Sequence, residues 1–535
     1  MKKQLLLTAA LFVATAASAQ AEAPLRPKLP AMVKATAADH GIITEQPEGT
    51  LRLYQRTGKA TYPTIYFKDD PQDGILAEVV FSEDGKKAWF HNIISHAASG
   101  AWVEGSIEGN VITVPLGQMY YWWDKDDNGN TNYGMQLARV KVNGSIHNYT
   151  SDTKGNVTFI IEGDDLYLQG TSGDSETTTY DGLGLVYTGA FAGEWSYYID
   201  YETVMHFKDV HAVVPPADME TEVYSMEFLS TMGQETGQLV EVGFSGRNVY
   251  VHGASRDQVP DAWMQGEVDR NKLVFPLQYA GSTTSFMVYF AGADAIYEQD
   301  QQGYWNWRYY WSDGSTNFDF DQMRRTFSTQ QALLANSSDT GVDRAEVMLS
   351  PSFRPFTEVP ATPVDPAITY YQDMGAFKIL VLNVPLKSTE DGFLNPEKVS
   401  YQLFVDDEEE PFVFYPDEYK QLTEPIDEVP YFFPREQKEM YERSYIYEKG
   451  SYVYLFQNDL QRIGIQAIYR GGDEEHRSNI FYYDIADNNA ISATTRANSA
   501  TTRQFDLMGR PAAKAHKGLT ISRRADGTVV KHLQR

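Results

Sequence analysis

The chain has no cysteine in 535 residues. This excludes disulfide scaffolds, Cys-ligated zinc and thiol catalysis. Cations are scarce as well: 45 Lys and Arg stand against 73 Asp and Glu, a formal net charge of −28. Gripping phosphates takes a basic surface, so no nucleic-acid partner is expected. Beyond the N-terminus no apolar run reaches the ~18 residues of a membrane helix, so no transmembrane span is expected. No long stretch keeps a 3.6-residue period, so long amphipathic helices are not expected. GxSxG, HExxH, GxxxxGK[ST] and a GxGxxG between strand and helix are all missing, and with them the usual hydrolase, zinc-protease and nucleotide signatures.

What is present begins with an export signal. Lys2 and Lys3 precede a short apolar core, Leu5 to Ala17, and Ala17-Ser18-Ala19 fits an A-x-A cleavage site. Residues 1–19 therefore read as a secretory signal peptide, with 20–44 as an N-terminal linker. No cysteine follows the cleavage site, so lipid anchoring there is not expected.

The body carries an internal repeat. Residues 85–116 align onto 246–277 without gaps, and eight of the 32 pairs are identical. They include Gly85/Gly246, His91/His252, Trp102/Trp263, Gly105/Gly266 and Pro115/Pro276. The offset of 161 residues is that of a domain, not of a solenoid repeat. Short runs rich in β-branched and aromatic residues recur between turn signals such as Asp84-Gly85 and Glu108-Gly109-Asn110. Examples are Thr64–Phe67, Ala77–Phe81, Val111–Val114 and Val157–Ile161.

The expected fold class is all-β. Two tandem repeated antiparallel β-barrel or sandwich domains, 45–213 and 217–340, are followed by a Pro-rich linker, 341–366, whose five prolines from Pro351 to Pro366 read as an extended linker or edge segment. An immunoglobulin- or fibronectin-like sandwich, 367–490, is expected next, with Phe377–Leu382, Tyr401–Val405, Phe412–Phe414 and Ile463–Tyr469 among its strands. A Ser/Thr/Ala-rich linker, 491–503, leads to a β-rich tail, 504–535.

That tail is charged unlike the rest. Residues 491–535 hold nine Lys and Arg and two acids, so residues 20–490 carry −37. Phe505-Asp506-Leu507-x-Gly509-Arg510, Lys517-Gly518-Leu519 and Gly527-x-Val529-Val530-Lys531 resemble the C-terminal sorting tail of the Bacteroidetes type IX secretion system. Thr520 departs from that pattern, where an aromatic is usual. The resemblance implies delivery outside the cell or to its surface, with secretion machinery as a partner. The body resembles large secreted Bacteroidetes proteins with duplicated β domains. It does so through Asp84-Gly85, Trp102-x-x-Gly105-x-Ile107, Pro115-x-Gly117-Gln118, Gly464–Tyr469 and Ser478–Asp484. Copy two keeps Trp263-x-x-Gly266 and Pro276-Leu277 and has Gln278-Tyr279 in place of Gly-Gln. This resemblance brings no catalytic residues with it.

Two segments carry candidate chemistry. Asp124, Asp126 and Asn128, with Gly129, match the first half of a calcium loop, in which alternate oxygens wrap a hard cation. The twelfth position is Met135 where an EF-hand needs Glu, so calcium is a possible structural ion and no other cofactor is indicated. In Tyr304–Trp311, strand alternation puts Trp305, Trp307, Tyr309 and Trp311 on one face and Asn306, Arg308 and Tyr310 on the other. Exposed, these rings with Arg308 form a sugar-stacking platform; buried, they are barrel interior or a seam. His91 and His252 recur at one repeat position, which a duplicated structural histidine explains. Three functions are compatible with this inventory. The chain could be a non-catalytic binding or adhesion protein for a glycan or a surface protein, not an enzyme. It could also be a glycoside hydrolase or lyase with two facing carboxylates, or a structural surface component.

Overall fold

The computed structural model describes residues 34–63, 70–124, 132–145, 148–174, 179–300, 303–406, 408–457, 460–485, 501–505, 518–524 and 529–534. The signal sequence, the expected strand Thr64–Phe67 and the tail turns at Gly509-Arg510 and Asp526-Gly527 lie outside them. Among the described residues the protein is almost wholly antiparallel β, with two short α-helices, Lys34–Asp39 and Lys438–Arg443.

The first copy is a closed barrel of eight strands. In hydrogen-bonded order they are Thr50–Thr61, Leu76–Phe81, Lys87–His91, Trp102–Glu108, Val111–Pro115, Asn156–Glu162, Asp165–Leu168 and Trp195–Lys208. The last pairs back on the first, Leu53 opposite Lys208 through Thr61 opposite Ile199. The second copy repeats this order with Thr221–Leu229, Glu235–Ser245, Asn248–His252, Trp263–Asp269, Lys272–Phe275, Thr316–Asp321, Thr326–Ser328 and Glu346–Pro355. Its last strand also closes on its first. The third and fourth strands of the two barrels lie 161 residues apart, at the sequence offset.

Strand alternation fills each interior. In Thr316–Asp321 the residues Thr316, Phe318 and Phe320 point in, and Asn317, Asp319 and Asp321 point out. The duplicated Gly105 and Gly266 are packing residues, not turn residues. A Cβ on either would stand 2.9 Å from the side chain of Ile112 or Leu273. Trp-x-x-Gly is therefore a barrel strand with one position emptied for a neighbour's branch.

Between its fifth and last strands each barrel sends out a side sheet. In copy one this is Met119–Trp123, Tyr133–Ser145, Asn148–Asp152, Ser172–Asp174 and Thr179–Gly189; in copy two it is Gln278–Ser282, Met287–Gln299, Trp305–Tyr310 and Ala332–Asn336. The side sheet joins the barrel's last strand, whose two faces are then both covered. Tyr198 and Met205 face the barrel core, while Ile199 and Tyr201 face a second, outer core with Ala138, Val140 and Val142. The barrels meet at a seam of Leu76, Met287 and Tyr289, where Leu76 N–H donates to the Ser285 carbonyl at 2.8 Å.

The expected linker 341–366 is not a free linker. Residues 346–355 are the strand that closes the second barrel. Pro351 is tolerated because the register shifts there, between Glu227 opposite Ser352 and Leu229 opposite Leu349.

The following unit, described by itself, packs two antiparallel sheets around one core. One holds Ala367–Asp373, Lys378–Asn383 and Val453–Leu455. The other holds Val399–Val405, Val429–Pro430, Arg462–Tyr469, His476–Arg477 and Phe481–Asp484. Phe412-Val413-Phe414 is not the expected strand; Phe414 makes one isolated bridge to Ile426 and packs on Phe412 and Tyr419. Residues 357–366 run along this unit, with Val364 N–H donating to Lys387 and a bridge between Pro363 and Ser388. Thr501–Phe505, Gly518–Arg524 and Val529–Gln534 form a separate three-stranded sheet.

Glu358 pins the start of this unit. Its carboxylate accepts from Lys398 Nζ at 2.6 Å, Asn395 Nδ2 at 2.9 Å and the Gly472 N–H at 3.1 Å. The Lys398 hydrogen bond, helped by Asn395, brings its pKa down from 4.5 to about 2. A lowered carboxylate pKa stabilises the fold above its ordinary value and loses that contribution as pH falls through the folded value. Glu358→Gln should therefore lower unfolding free energy at pH 7 and flatten its fall between pH 4.5 and about 2. Urea unfolding at a series of pH values reads both effects.

Candidate functional site: the aromatic ribbon of the second barrel

The duplicated histidines build cross-strand rungs. In copy one His91 Nδ1 lies 2.5 Å from the Glu78 carboxylate, and its ring stacks on Trp102 at 4.6 Å. In copy two His252 lies 3.8 Å from Glu241 and stacks on Trp263 at 4.7 Å. The same Glu–His–Trp rung at the same barrel position twice is a structural device. His96 is elsewhere, buried against Tyr62 and 3.6 Å from Asp70. Among the described residues no three metal-ligating side chains come together.

The motif lost in copy two is retained in function. Gln118 Nε2 donates to the Glu104 and Pro115 carbonyls, and its Oε1 accepts the Glu104 N–H. Gln278 makes the matching three bonds to Gln265 and Pro276. One residue fewer separates Pro from Gln, which hid the equivalence. The bracket satisfies backbone groups where the fourth and fifth barrel strands diverge.

The candidate calcium loop is only partly in view. Asp124 is exposed, and its carboxylate accepts from Trp122 Nε1 at 2.8 Å; Asp126 and Asn128 lie outside the described residues. Met135, at the twelfth position, is core. Of the preceding aromatics, Tyr120 and Tyr121 are fully buried, their phenol pKa values raised by burial, and Trp122 stacks on His40 at 3.7 Å.

The aromatic strand divides along its length. Trp305–Tyr310 pairs with the outer half of Met287–Gln299 as a two-stranded ribbon, Gln299 opposite Trp305 through Asp294 opposite Tyr310. Trp307, Tyr309 and Trp311 are half-buried over the outer core of Ala291, Ala293, Ala332, Leu334 and Leu349. Trp307 Nε1 donates to the Thr231 carbonyl at 2.9 Å. Burial pushes the Tyr309 phenol up to about 12. Trp311 sits beneath Gly314, where a Cβ would lie 2.7 Å from the indole.

Beyond that cover the rings are exposed, with Tyr297 also packed on Trp307 at 5.2 Å. Trp305 is 55% exposed, Tyr297 50% and Tyr304 61%, and Trp305 stacks with Tyr297 at 5.5 Å and 23°. Tyr297 was not singled out from sequence, because it lies on the partner strand and only the cross-strand register brings it to Trp305. The other face of the ribbon is mixed, with Ile296 and Tyr310 exposed among polar groups. It carries Arg308, Glu298 accepting from the Tyr310 hydroxyl at 2.8 Å, and Asp300 accepting from the Asn306 amide and the Tyr304 N–H. Of the predicted residues, Trp305 is therefore solvent-facing, Trp307, Tyr309 and Trp311 are mainly cover, and Arg308 is on the opposite face.

Compared with models of protein families and with curated proteins, the chain matches none.

The division predicts contrasting stabilities. Trp307→Ala removes an indole hydrogen bond and half-buried area and should cost about 2 kcal/mol. Trp305→Ala should stay within about 0.5 kcal/mol of the parent. Chemical denaturation of both variants checks the contrast.

Proposed function

We propose that this chain is an exported, non-catalytic binding protein whose second barrel presents an aromatic ribbon to a glycan. The supporting observation is the exposed, stacked pair Trp305 and Tyr297, with Tyr304 beside it. Exposed rings lower their free energy by covering an apolar face, and the C–H face of a pyranose is such a surface. Gln299, paired opposite Trp305, supplies a partner for hydroxyls on the ring face. The neighbouring carboxylates support binding over turnover, because Asp300 and Glu298 are engaged in hydrogen bonds on the face away from the stacked rings. Closed barrels and a two-sheet unit suit a display scaffold.

Export and surface delivery are the second part of the reading, supported by the residues of the N-terminal signal and by the tail motifs.

Two measurements test it. A glycan array should show binding by the parent chain and its loss in Trp305→Ala; product release from a polysaccharide panel would overturn the non-catalytic reading. Deleting residues 504–535 should leave the body folded by circular dichroism and abolish its appearance outside the cell. Normal delivery of the truncated chain would remove the sorting role.

A further inference from the structure

The duplication supplies an internal control for the ribbon. Copy one has the same ribbon position, Tyr133–Ser145 paired with Asn148–Asp152. There the aromatic Tyr149 folds into the outer core, 5.4 Å from Trp195, and its hydroxyl accepts the Trp195 N–H at 2.9 Å. Thr150, Ser151 and Asp152, toward the barrel, are exposed and polar, and the last described pair, Ser145 opposite Asn148, lies one residue past Tyr149. Covering the outer core therefore requires a ring on the ribbon in both copies. In copy two the ribbon runs on past the residues over its outer core, to Tyr297 opposite Trp307 and Gln299 opposite Trp305.

In copy two the far end carries Tyr297, Tyr304 and Trp305, with Ile296 and Tyr310 exposed on the same hairpin. Among the described residues of the first barrel the exposed large apolar side chains are Leu51 and Phe191, neither on its ribbon. Fold requirements shared by the copies explain the rungs, the Gln brackets and the emptied glycine positions. They do not explain three exposed rings on one copy.

Charge narrows what the rings can take. The acids on the hairpin, Asp294, Glu298 and Asp300, and its one cation, Arg308, all lie on the face opposite the stacked rings, so the ring face carries no charged group and the hairpin is net negative, three acids against one cation. The body, residues 20–490, carries −37. A uronate or sulfated chain approaching the platform meets like charge within a Debye length of ~8 Å and finds no cation on the ring face. An uncharged sugar meets only stacking surface and hydrogen-bonding groups.

Resting on the glycan reading above, we infer that the ligand is an uncharged hexopyranose chain held by the second barrel alone, at one site per chain. The test is isothermal titration of the full-length chain with cellohexaose, laminarihexaose and mannohexaose, and in parallel with hexagalacturonate and a heparin hexasaccharide. Trp305→Ala and Tyr297→Ala, both surface changes, provide the site controls, and thermal unfolding confirms that each variant is folded. The expected result is one neutral hexasaccharide per chain, with affinity unchanged between about 50 and about 300 mM NaCl. Each ring substitution should weaken it by about tenfold or more.

Preferential binding of an anionic oligosaccharide that is lost in Trp305→Ala would overturn this inference and leave the glycan reading standing. So would two equivalents per chain with one surviving in Trp305→Ala. Absence of binding by every saccharide, in a folded chain, would overturn the glycan reading itself.

Discussion

Pairing the first strand of each repeat with its last is the constraint from which the rest of the structure follows. Thr50–Thr61 lies against Trp195–Lys208, and Thr221–Leu229 against Glu346–Pro355. A protein without disulfides must hold its ends together by burial and hydrogen bonds. A closed barrel does both and leaves no edge on its eight strands. Closure has a second effect. The last strand also carries the side sheet, so it must bury both faces, and its outer face needs a lid. In copy one Tyr149 supplies the lid from the ribbon, beside Trp195 and Tyr197 of the last strand itself; in copy two Trp307, Tyr309 and Trp311 supply it. Aromatic residues are thus required on the ribbon by packing before any ligand is considered.

The copies meet shared demands with different residues, which separates what the fold needs from which residue supplies it. The loop after the third strand leaves two carbonyls pointing inward. In copy one the fully buried Arg56 caps them, donating to Asn92 and Ile93, and lies 3.4 Å from Asp200. In copy two Gln238, from a different strand, donates to Gly253 and Ala254. A neutral amide does there what an ion pair does in the first barrel, without the cost of dehydrating two charges. The same loop is held further by Ser95 donating to Asp200 in one copy and Ser255 to Glu346 in the other.

The parts of this architecture legible in the sequence were those with local or periodic signals. The 161-residue offset reported the duplication, and runs such as Val111–Val114 and Val157–Ile161 reported strands. Barrel closure was not legible, because it joins strands more than a hundred residues apart and no local pattern encodes a partner. The prolines at 351 and 355 misdirected for a definable reason. One sits at a register shift and the other at the strand's last pair, the two places where a missing N–H costs little. Phe412 and Phe414 looked like strand residues because they are aromatic and alternate. They are buried by packing on each other and, for Phe414, on Tyr419, with a single bridge to Ile426 and no extended ladder.

The aromatic ribbon shows the limit most plainly. Trp305, Trp307 and Tyr309 have one chemistry and one spacing, so alternation assigns all three to a single face, and they do share it. What alternation lacks is the length of the surface beneath. The outer core ends at Ala293 and Ala332, level with Trp311 and Tyr309, and the strand continues past it. Trp307 bridges the margin through its bond to Thr231, and Trp305 stands clear with Tyr297 as its neighbour. A lid built only for packing would end where its core ends, as the ribbon of the first copy does at Tyr149. The extension of the aromatic run beyond that margin, in one copy and not the other, is the feature that packing leaves unexplained and recognition accounts for.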